Sequence, residues 1–166
     1  MSKHEAITVG SGPEQVGLAF LTLAYGVRED VDRHMLSTAG LSLSRTKVLQ
    51  ALAAHGTLHQ AQLAEALGQA PRSVTQIVEG LERLALVTRT DDAEDRRRKT
   101  VSLTDKGRTT LAAAEEAGTH ALRKVFGSLD RQQLASLQAL LTRLDTAVAS
   151  PADARRGHRH PTASQE

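Results

Sequence analysis

Residues 58–104 decide the fold, and they read LHQAQLAEALGQAPRSVTQIVEGLERLALVTRTDDAEDRRRKTVSLT. The middle of this stretch predicts a helix that begins at Pro71, because a missing N–H is tolerated at a first helical position. Apolar residues then recur at spacings of three and four, which predicts one buried stripe along that helix. The stripe consists of Val74, Ile77, Leu81 and Leu84. The opposite face carries Arg72, Ser73, Thr75, Gln76 and Arg83.

A shorter helix is predicted just before it, over about residues 60–67, with Leu63, Ala64 and Leu67 facing inward. Gly68 follows, where the end of a helix favours a residue with positive φ. Two helices joined by a short turn that contains glycine form a helix-turn-helix. Polar side chains on the second helix could donate to phosphates or base edges, with Arg suited to guanine and Gln to adenine.

Two β-branched runs, 86–90 and 99–104, follow the second helix and predict a pair of strands. The segment between them, DDAEDRRR, is too long for a two-residue turn, so we expect a projecting loop. Its cationic side chains are Arg96, Arg97, Arg98 and Lys99. An arginine-rich loop of this kind suits the narrow minor groove of DNA, where the negative potential is enhanced.

Three consecutive segments of this stretch resemble the winged helix-turn-helix of the MarR family of bacterial transcriptional regulators. These are LAEALG, SVTQIVEGLERLALVTR and DAEDRRRKTVSLTDKGR. The loop is the most diagnostic segment, with an acidic residue, then Asp-Arg-Arg, then V-x-L-T-x-x-G. Its matching residues are Asp92, Asp95, Arg96, Arg97, Val101, Leu103, Thr104 and Gly107. The resemblance covers roughly residues 13–149 and implies a mainly α fold with a small β-hairpin wing.

The predicted DNA-contacting residues lie at the start of the first motif helix, on the second helix and in the loop. They are His59, Gln60, Arg72, Ser73, Thr75, Gln76, Asp95, Arg96, Arg97, Arg98 and Lys99. The resemblance implies that Arg97 enters the minor groove and that Asp95 holds its guanidinium. Thr75 has an alternative role, since its hydroxyl could bond back to its own helix.

The chain departs from the family pattern at three positions. Gln76 stands where Arg is frequent, which leaves the operator sequence open, and His59 stands where Ser or Thr is usual. Ala85 occupies a helix exit where Gly is commoner. If Ala85 adopts positive φ, the strain is on the order of 1 kcal/mol.

Long amphipathic helices flank the reading head, which covers about residues 42–104. They are predicted over about 13–37 and 104–149, whereas 1–12 and 151–166 are expected to be disordered. The N-terminal helix is longer than a small winged domain needs, so its far end requires another apolar partner. Packing of these helices across a two-fold axis would give a dimerisation platform within a single domain, 13–150, as the resemblance implies.

Composition excludes several other classes. Lys and Arg number 21 against 19 Asp and Glu, so the net charge of +2 does not by itself argue for nucleic acid. Cysteine is absent, which excludes disulfides and thiol switches, and aromatic residues make up 2%, too few for base stacking. No apolar run is long enough for a membrane span and no secretion signal begins the chain, so we expect a cytoplasmic protein.

We therefore expect a homodimeric regulator, usually a repressor in such families, that binds a pseudo-palindromic operator in double-stranded DNA. A small-molecule effector would release it, although the sequence does not identify the pocket residues. No metal site, cofactor or enzyme motif is found. Two alternatives remain: a protein-binding winged helix, and an architectural protein that binds DNA without sequence preference.

Overall fold

A computed structural model describes residues 12–92 and 98–149, in which helices predominate over a small sheet. The helices are α1 Pro13–Ala39, α2 Leu43–His55, α3 Gln60–Leu67, α4 Pro71–Arg83, α5 Asp105–Phe126 and α6 Arg131–Ala149. The strands are β1 Leu58–His59, β2 Val87–Asp91 and β3 Lys99–Leu103. The predicted fold class, mainly α with a β-hairpin wing, is confirmed.

The sheet is antiparallel, with strand order β1-β3-β2. Val87 pairs with Leu103 and Asp91 with Lys99, so β2 and β3 form the hairpin predicted from the β-branched runs. β1 pairs with the other edge of β3 through Leu58 opposite Val101.

The hydrophobic core joins α1, α2, α3, α4, the sheet and α5. Its fully buried side chains include Leu49, Leu63, Val74, Leu81 and Val101, each with 0% exposure. Burial of one such side chain contributes about 1.5–3 kcal/mol relative to leaving it in water. This core fixes the orientation of α4, which is predicted to contact DNA, and of the base of the hairpin whose loop is predicted to do so.

One detail of the predicted helices was wrong. Leu84 was placed on the buried stripe of the second motif helix, but it is 41% exposed and Val78 is buried instead. The reason is that α4 ends at Arg83 and Leu84 begins the exit turn. The N-terminal helix also continues two residues beyond the expected end at Ser37, and it stops at Gly40 with φ 68°.

The chain divides into two compact units, Met1–Val125 and Phe126–Glu166. α1 lies in the first unit, and only Val31 and Met35 of its 27 residues are buried there. α6 lies in the second unit, and none of its described residues is buried. The domain limits drawn from sequence, including a single domain over 13–150, remain predictions.

Candidate nucleic-acid interface

α4 presents a polar face to solvent because its apolar side chains fix the opposite face. Pro71 begins the helix, and Val74 and Val78 are fully buried beneath it. On the outer side Arg72, Ser73 and Gln76 are exposed. A guanidinium, a hydroxyl and an amide in this arrangement can donate to phosphate oxygens and to base edges in a major groove.

Thr75 lies at the edge of this polar face and is half-buried. Its hydroxyl donates to the carbonyl oxygen of Pro71 at 3.0 Å, which is the alternative that the sequence left open. It also accepts a hydrogen bond from the side-chain amide of Gln60 at 3.3 Å. Gln60 and Thr75 therefore link α3 to α4 in the DNA-free protein, and their direct contact with DNA remains a prediction.

His59 occupies the N-cap position of α3, and its backbone N–H donates to Oε1 of Gln62 at 2.9 Å. Its ring points to the outer end of the wing hairpin, where Nε2 lies 3.3 Å from Oδ2 of Asp92. Nδ1 is buried, and the described residues supply it with no hydrogen-bond partner. In this state the imidazole faces a carboxylate of its own chain, so its predicted phosphate contact would require the ring to turn outward.

The wing is held together across its strands by paired side chains. The hydroxyls of Thr88 and Ser102 lie 2.8 Å apart, and those of Thr90 and Thr100 are equally close. On the other face, Nζ of Lys99 forms an ion pair with Asp91. These contacts stiffen a hairpin that would be marginally stable by itself.

The tip of the wing includes three of the predicted site residues, Asp95, Arg96 and Arg97, and these lie outside the described residues. Arg98 is described and exposed, and its carbonyl oxygen accepts a hydrogen bond from the backbone N–H of Asp92 at 3.0 Å. Arg98 and Lys99 therefore place two cations at the described end of the hairpin.

The exit from α4 is a compact backbone joint. Ala85 has φ 58°. The sequence left open whether this residue adopts a positive φ, and in the structure it does. A residue other than glycine therefore carries the strain of this turn. The Thr104 hydroxyl donates to the carbonyl oxygen of Ala85 at 2.8 Å and accepts from the backbone N–H of Gly107 at 2.9 Å. Thr104 thus caps α5 and ties the wing base to the helix exit.

Sequence reasoning missed an ion pair between α4 and the wing. Nε of Arg89 on β2 donates to Oε2 of Glu82 on α4 at 2.8 Å. This hydrogen bond lowers the pKa of the Glu82 carboxyl below its usual value of 4.5. It likewise raises the pKa of the Arg89 guanidinium. The two residues are seven positions apart across a turn, so no periodic pattern could have signalled the pair.

The described residues, 12–92 and 98–149, include no group of three or more His, Asp or Glu side chains that could hold a metal ion. The rings of His34 and His120 stack with centroids 5.4 Å apart. Within the same residues no helix has both the length and the apolarity to cross a membrane.

Residues 39–98, which span the helix-turn-helix and most of the wing, match the sequence pattern of the MarR family. The chain is also 29% identical over 108 residues to the uncharacterized HTH-type transcriptional regulator YfiV of Bacillus subtilis. That alignment covers 65% of this chain and 68% of YfiV. Over its helix-turn-helix and most of its wing, the chain is therefore similar to the MarR family of transcriptional regulators.

The chain is also similar to a second curated protein and to a solved structure. The HTH-type transcriptional repressor MdtR of Bacillus subtilis is 37% identical over 68 residues, which are 41% of this chain and 44% of MdtR. The structure is similar to that of MepR in the S. aureus MepR–DNA complex, with a TM-score of 0.64 and 25% identity. That superposition covers 79% of this chain and 96% of MepR.

Proposed function

We propose that this protein is a homodimeric repressor of the MarR family that binds a specific sequence in double-stranded DNA and is released by a small-molecule effector. The observation that carries the proposal is the polar face of α4, with Arg72, Ser73 and Gln76 exposed, beside a hairpin that ends in cations. A protein-binding winged helix would instead expose apolar side chains on that face. The similarity to a MarR-family structure crystallised with DNA supports the same conclusion.

We assign the base contacts to α4 and the backbone contacts to the wing. Gln76 suits adenine and Arg72 suits guanine or a phosphate. Arg98 and Lys99, with Arg96, would neutralise phosphates, and each such contact steepens the salt dependence of binding by ~0.9 in log–log slope. Arg97 would enter the minor groove with Asp95 beside it, and His59 and Gln60 would meet the backbone at the start of α3.

Exposed apolar side chains support the dimer. On α1, Leu18, Leu21 and Leu23 are each more than 60% exposed, as is Tyr25. On α6, Leu140 and Leu144 are more than half exposed. Such continuous apolar faces are covered by a partner in stable proteins, and a second copy of the chain would cover them with two-fold symmetry.

A groove of about 420 Å³ beside the reading head is the candidate effector site. α1 lines it with Tyr25, Arg28, Asp32 and other side chains, and Ser42 and Ser44 line it from the start of α2. This volume is in the range that holds drug-sized ligands. A ligand could bind the groove more tightly when the two reading heads of the dimer are at a separation that does not match DNA. Such a ligand would lower the population of the dimer that can bind DNA. The name of MdtR, a repressor, supports negative regulation.

Selection of binding sites from random duplex DNA tests this function. We expect enrichment of one pseudo-palindromic sequence, and an affinity for it at least about a thousandfold above that for a shuffled duplex. Affinities within a few-fold of each other would indicate an architectural protein instead. Repeating the selection with candidate ligands would identify those that release the DNA.

Arg97→Ala tests the wing contact with the selected duplex. Loss of a cation from the minor groove is expected to weaken binding by about ten- to a hundredfold while the melting temperature stays unchanged. Arg143→Ala, which removes the same charge from an exposed position of α6, is the matched control and should bind like the parent. Equal affinity of the Arg97→Ala protein and the parent would remove the minor-groove role.

A further inference from the structure

Arg89 connects the wing to the end of α4. It pairs with Val101 in the sheet, and its side chain is 25% exposed. Two of its nitrogens reach the same oxygen of Glu82, with Nε at 2.8 Å and Nη2 at 2.5 Å from Oε2. Glu79, one turn earlier, is more distant, since 3.8 Å separates its Oε1 from Nη1 of Arg89. The strong bond of this cluster is therefore the one between Arg89 and Glu82.

The position of this ion pair allows it to limit the movement of the wing relative to α4. Glu82 is the second-last residue of α4, and Arg89 is the third residue of β2. Among the described residues, the base of the hairpin is also joined to α4 by the backbone turn through Ala85, whose φ is 58°, and by the hydrogen bond from the backbone N–H of Leu86 to the carbonyl oxygen of Leu81. These contacts hold the base of the hairpin, and β1 pairs with β3 on its other side. The ion pair of Arg89 with Glu82 adds a side-chain attachment between α4 and the middle of β2, where it limits the remaining rotation of the hairpin relative to α4.

We propose that Arg89 and Glu82 are positioning residues for DNA binding, because their ion pair fixes the wing at one angle to α4. This inference rests on the proposed function, in which α4 and the wing enter neighbouring grooves of one duplex. Both elements can bind the same duplex only when α4 and the wing are at the right distance and angle. A protein that already holds this arrangement loses less conformational entropy when it binds DNA. The pair would contribute to affinity although neither side chain contacts DNA.

The direction of the change in DNA affinity on losing the Glu82 carboxylate distinguishes the positioning role from a purely electrostatic one. Glu82 is an anion near a surface proposed to bind phosphates, so its removal would strengthen binding if only long-range charge mattered. The positioning role predicts the opposite, namely weaker binding when the acid is lost. Glu79→Gln is the matched control, because it removes the same charge from the same helix without removing the short bond.

The first experiment measures affinity for the selected duplex. We expect Glu82→Gln and Arg89→Gln to bind about fivefold more weakly than the parent, and Glu79→Gln to bind as tightly or more tightly. The exchanged protein, with Glu82→Arg and Arg89→Glu together, has the parent's net charge and should return to within about twofold of parent affinity. Melting temperatures should stay within a few degrees, since an exposed ion pair contributes little to stability.

The second experiment needs no DNA. The chain has no cysteine, so cysteines at two exposed positions, Gln76 on α4 and Thr90 on β2, can carry spin labels without further changes. Labelled chains diluted into excess unlabelled chain report the separation of the two elements within one protomer. We expect one narrow distance distribution in the parent and Glu79→Gln proteins, a broader one in Glu82→Gln, and a narrow one again in the exchanged protein.

The two experiments distinguish the inference from the function beneath it. Equal distributions in the parent and Glu82→Gln proteins would overturn the inference whether or not DNA binds. Equal or tighter DNA binding by Glu82→Gln would also overturn it. A broadened distribution in a protein that selects no DNA sequence would uphold the fixed wing angle and refute the proposed function.

Discussion

Gly107 shows how a single missing side chain sets the fold at the base of the wing. A Cβ at this position would overlap the carbonyl oxygen of Leu86 and would lie 3.0 Å from Cδ1 of Leu103. The same carbonyl oxygen accepts the backbone N–H of Thr104 at 3.1 Å, so it cannot move away without loss of that bond. The glycine of the V-x-L-T-x-x-G motif is therefore a packing requirement of the first turn of α5.

Gly107→Ala is accordingly expected to lower the free energy of unfolding by about 2–4 kcal/mol, because backbone atoms must shift to admit the methyl group. Chemical denaturation at one protein concentration measures the change. Gly26→Ala is the control, since a Cβ there meets no atom within 4 Å, and it should be neutral or stabilising by up to ~1 kcal/mol. A Gly107→Ala protein as stable as the parent would show that packing against Leu86 does not require glycine at this position.

At the residue scale, roles that depend on neighbours a few positions away were easier to predict from the sequence than contacts between side chains on different elements. Gly68 has φ 59° as expected, and Asp130 and Gln133, three positions apart, exchange the hydrogen bonds of a capping box. Such roles depend on neighbours three or four positions away, which a sequence displays directly. The contacts of Arg89 with Glu82 and of His59 with Asp92 depend on how the hairpin packs, and a single sequence carries no local signal for that.

At the element scale, the helix-turn-helix and the hairpin were predictable because their periodicities are strong. Both motif helices carry apolar residues at spacings of three and four, and both strands carry β-branched residues between polar turns. The helix exit was less predictable, because Leu84 continues the apolar spacing although α4 has already ended. Periodicity thus located the elements, whereas tertiary contacts decided where each one stops.

The restraint on the angle between α4 and β2 is expected to depend on pH, because the ion pair requires an ionised Glu82 carboxyl. Its pKa in the folded protein lies below the usual 4.5, chiefly because Arg89 donates a hydrogen bond to the carboxylate. A lowered carboxyl pKa means that the pair's contribution is fully present above pH 4.5 and is lost as the pH falls through the folded pKa. We expect the label distribution between Gln76 and Thr90 to be constant above that pH.

Acidification below pH 4.5 should broaden the distribution while far-ultraviolet circular dichroism still shows folded helices. The Glu82→Gln protein has no carboxyl at this position, so its distribution should already be broad and should show no step. A parent protein that broadens between pH 6 and 8 would contradict the assignment, because no carboxylate with a lowered pKa titrates there.

At the scale of the whole molecule, the proposed dimer depends on apolar side chains that a single chain leaves in water. Leu21 of α1 is 64% exposed, and Leu84 in the reading head is 41% exposed. Leu21→Glu is expected to raise the dimer dissociation constant at least about tenfold, because a charge would be buried in the interface without a partner. Sedimentation velocity over a range of concentrations measures this constant.

Leu84→Glu is the matched control, since it introduces the same charge at an exposed leucine outside the proposed platform. It should leave the dissociation constant unchanged. Unaltered self-association of the Leu21→Glu protein would show that the N-terminal part of α1 is not the interface. The sequence predicted the apolar stripe of α1, but not which residues a partner covers, because that depends on the assembly.

In the proposed dimer, a helical platform holds two identical reading heads at a fixed separation along one face of duplex DNA. The most direct measurement is the affinity for the selected operator after insertion of five base pairs between its half-sites, which turns one half-site by about half a helical turn. We expect the affinity for this operator to fall to nearly that for a single half-site. An operator that tolerates this insertion without loss of affinity would contradict the proposed dimer.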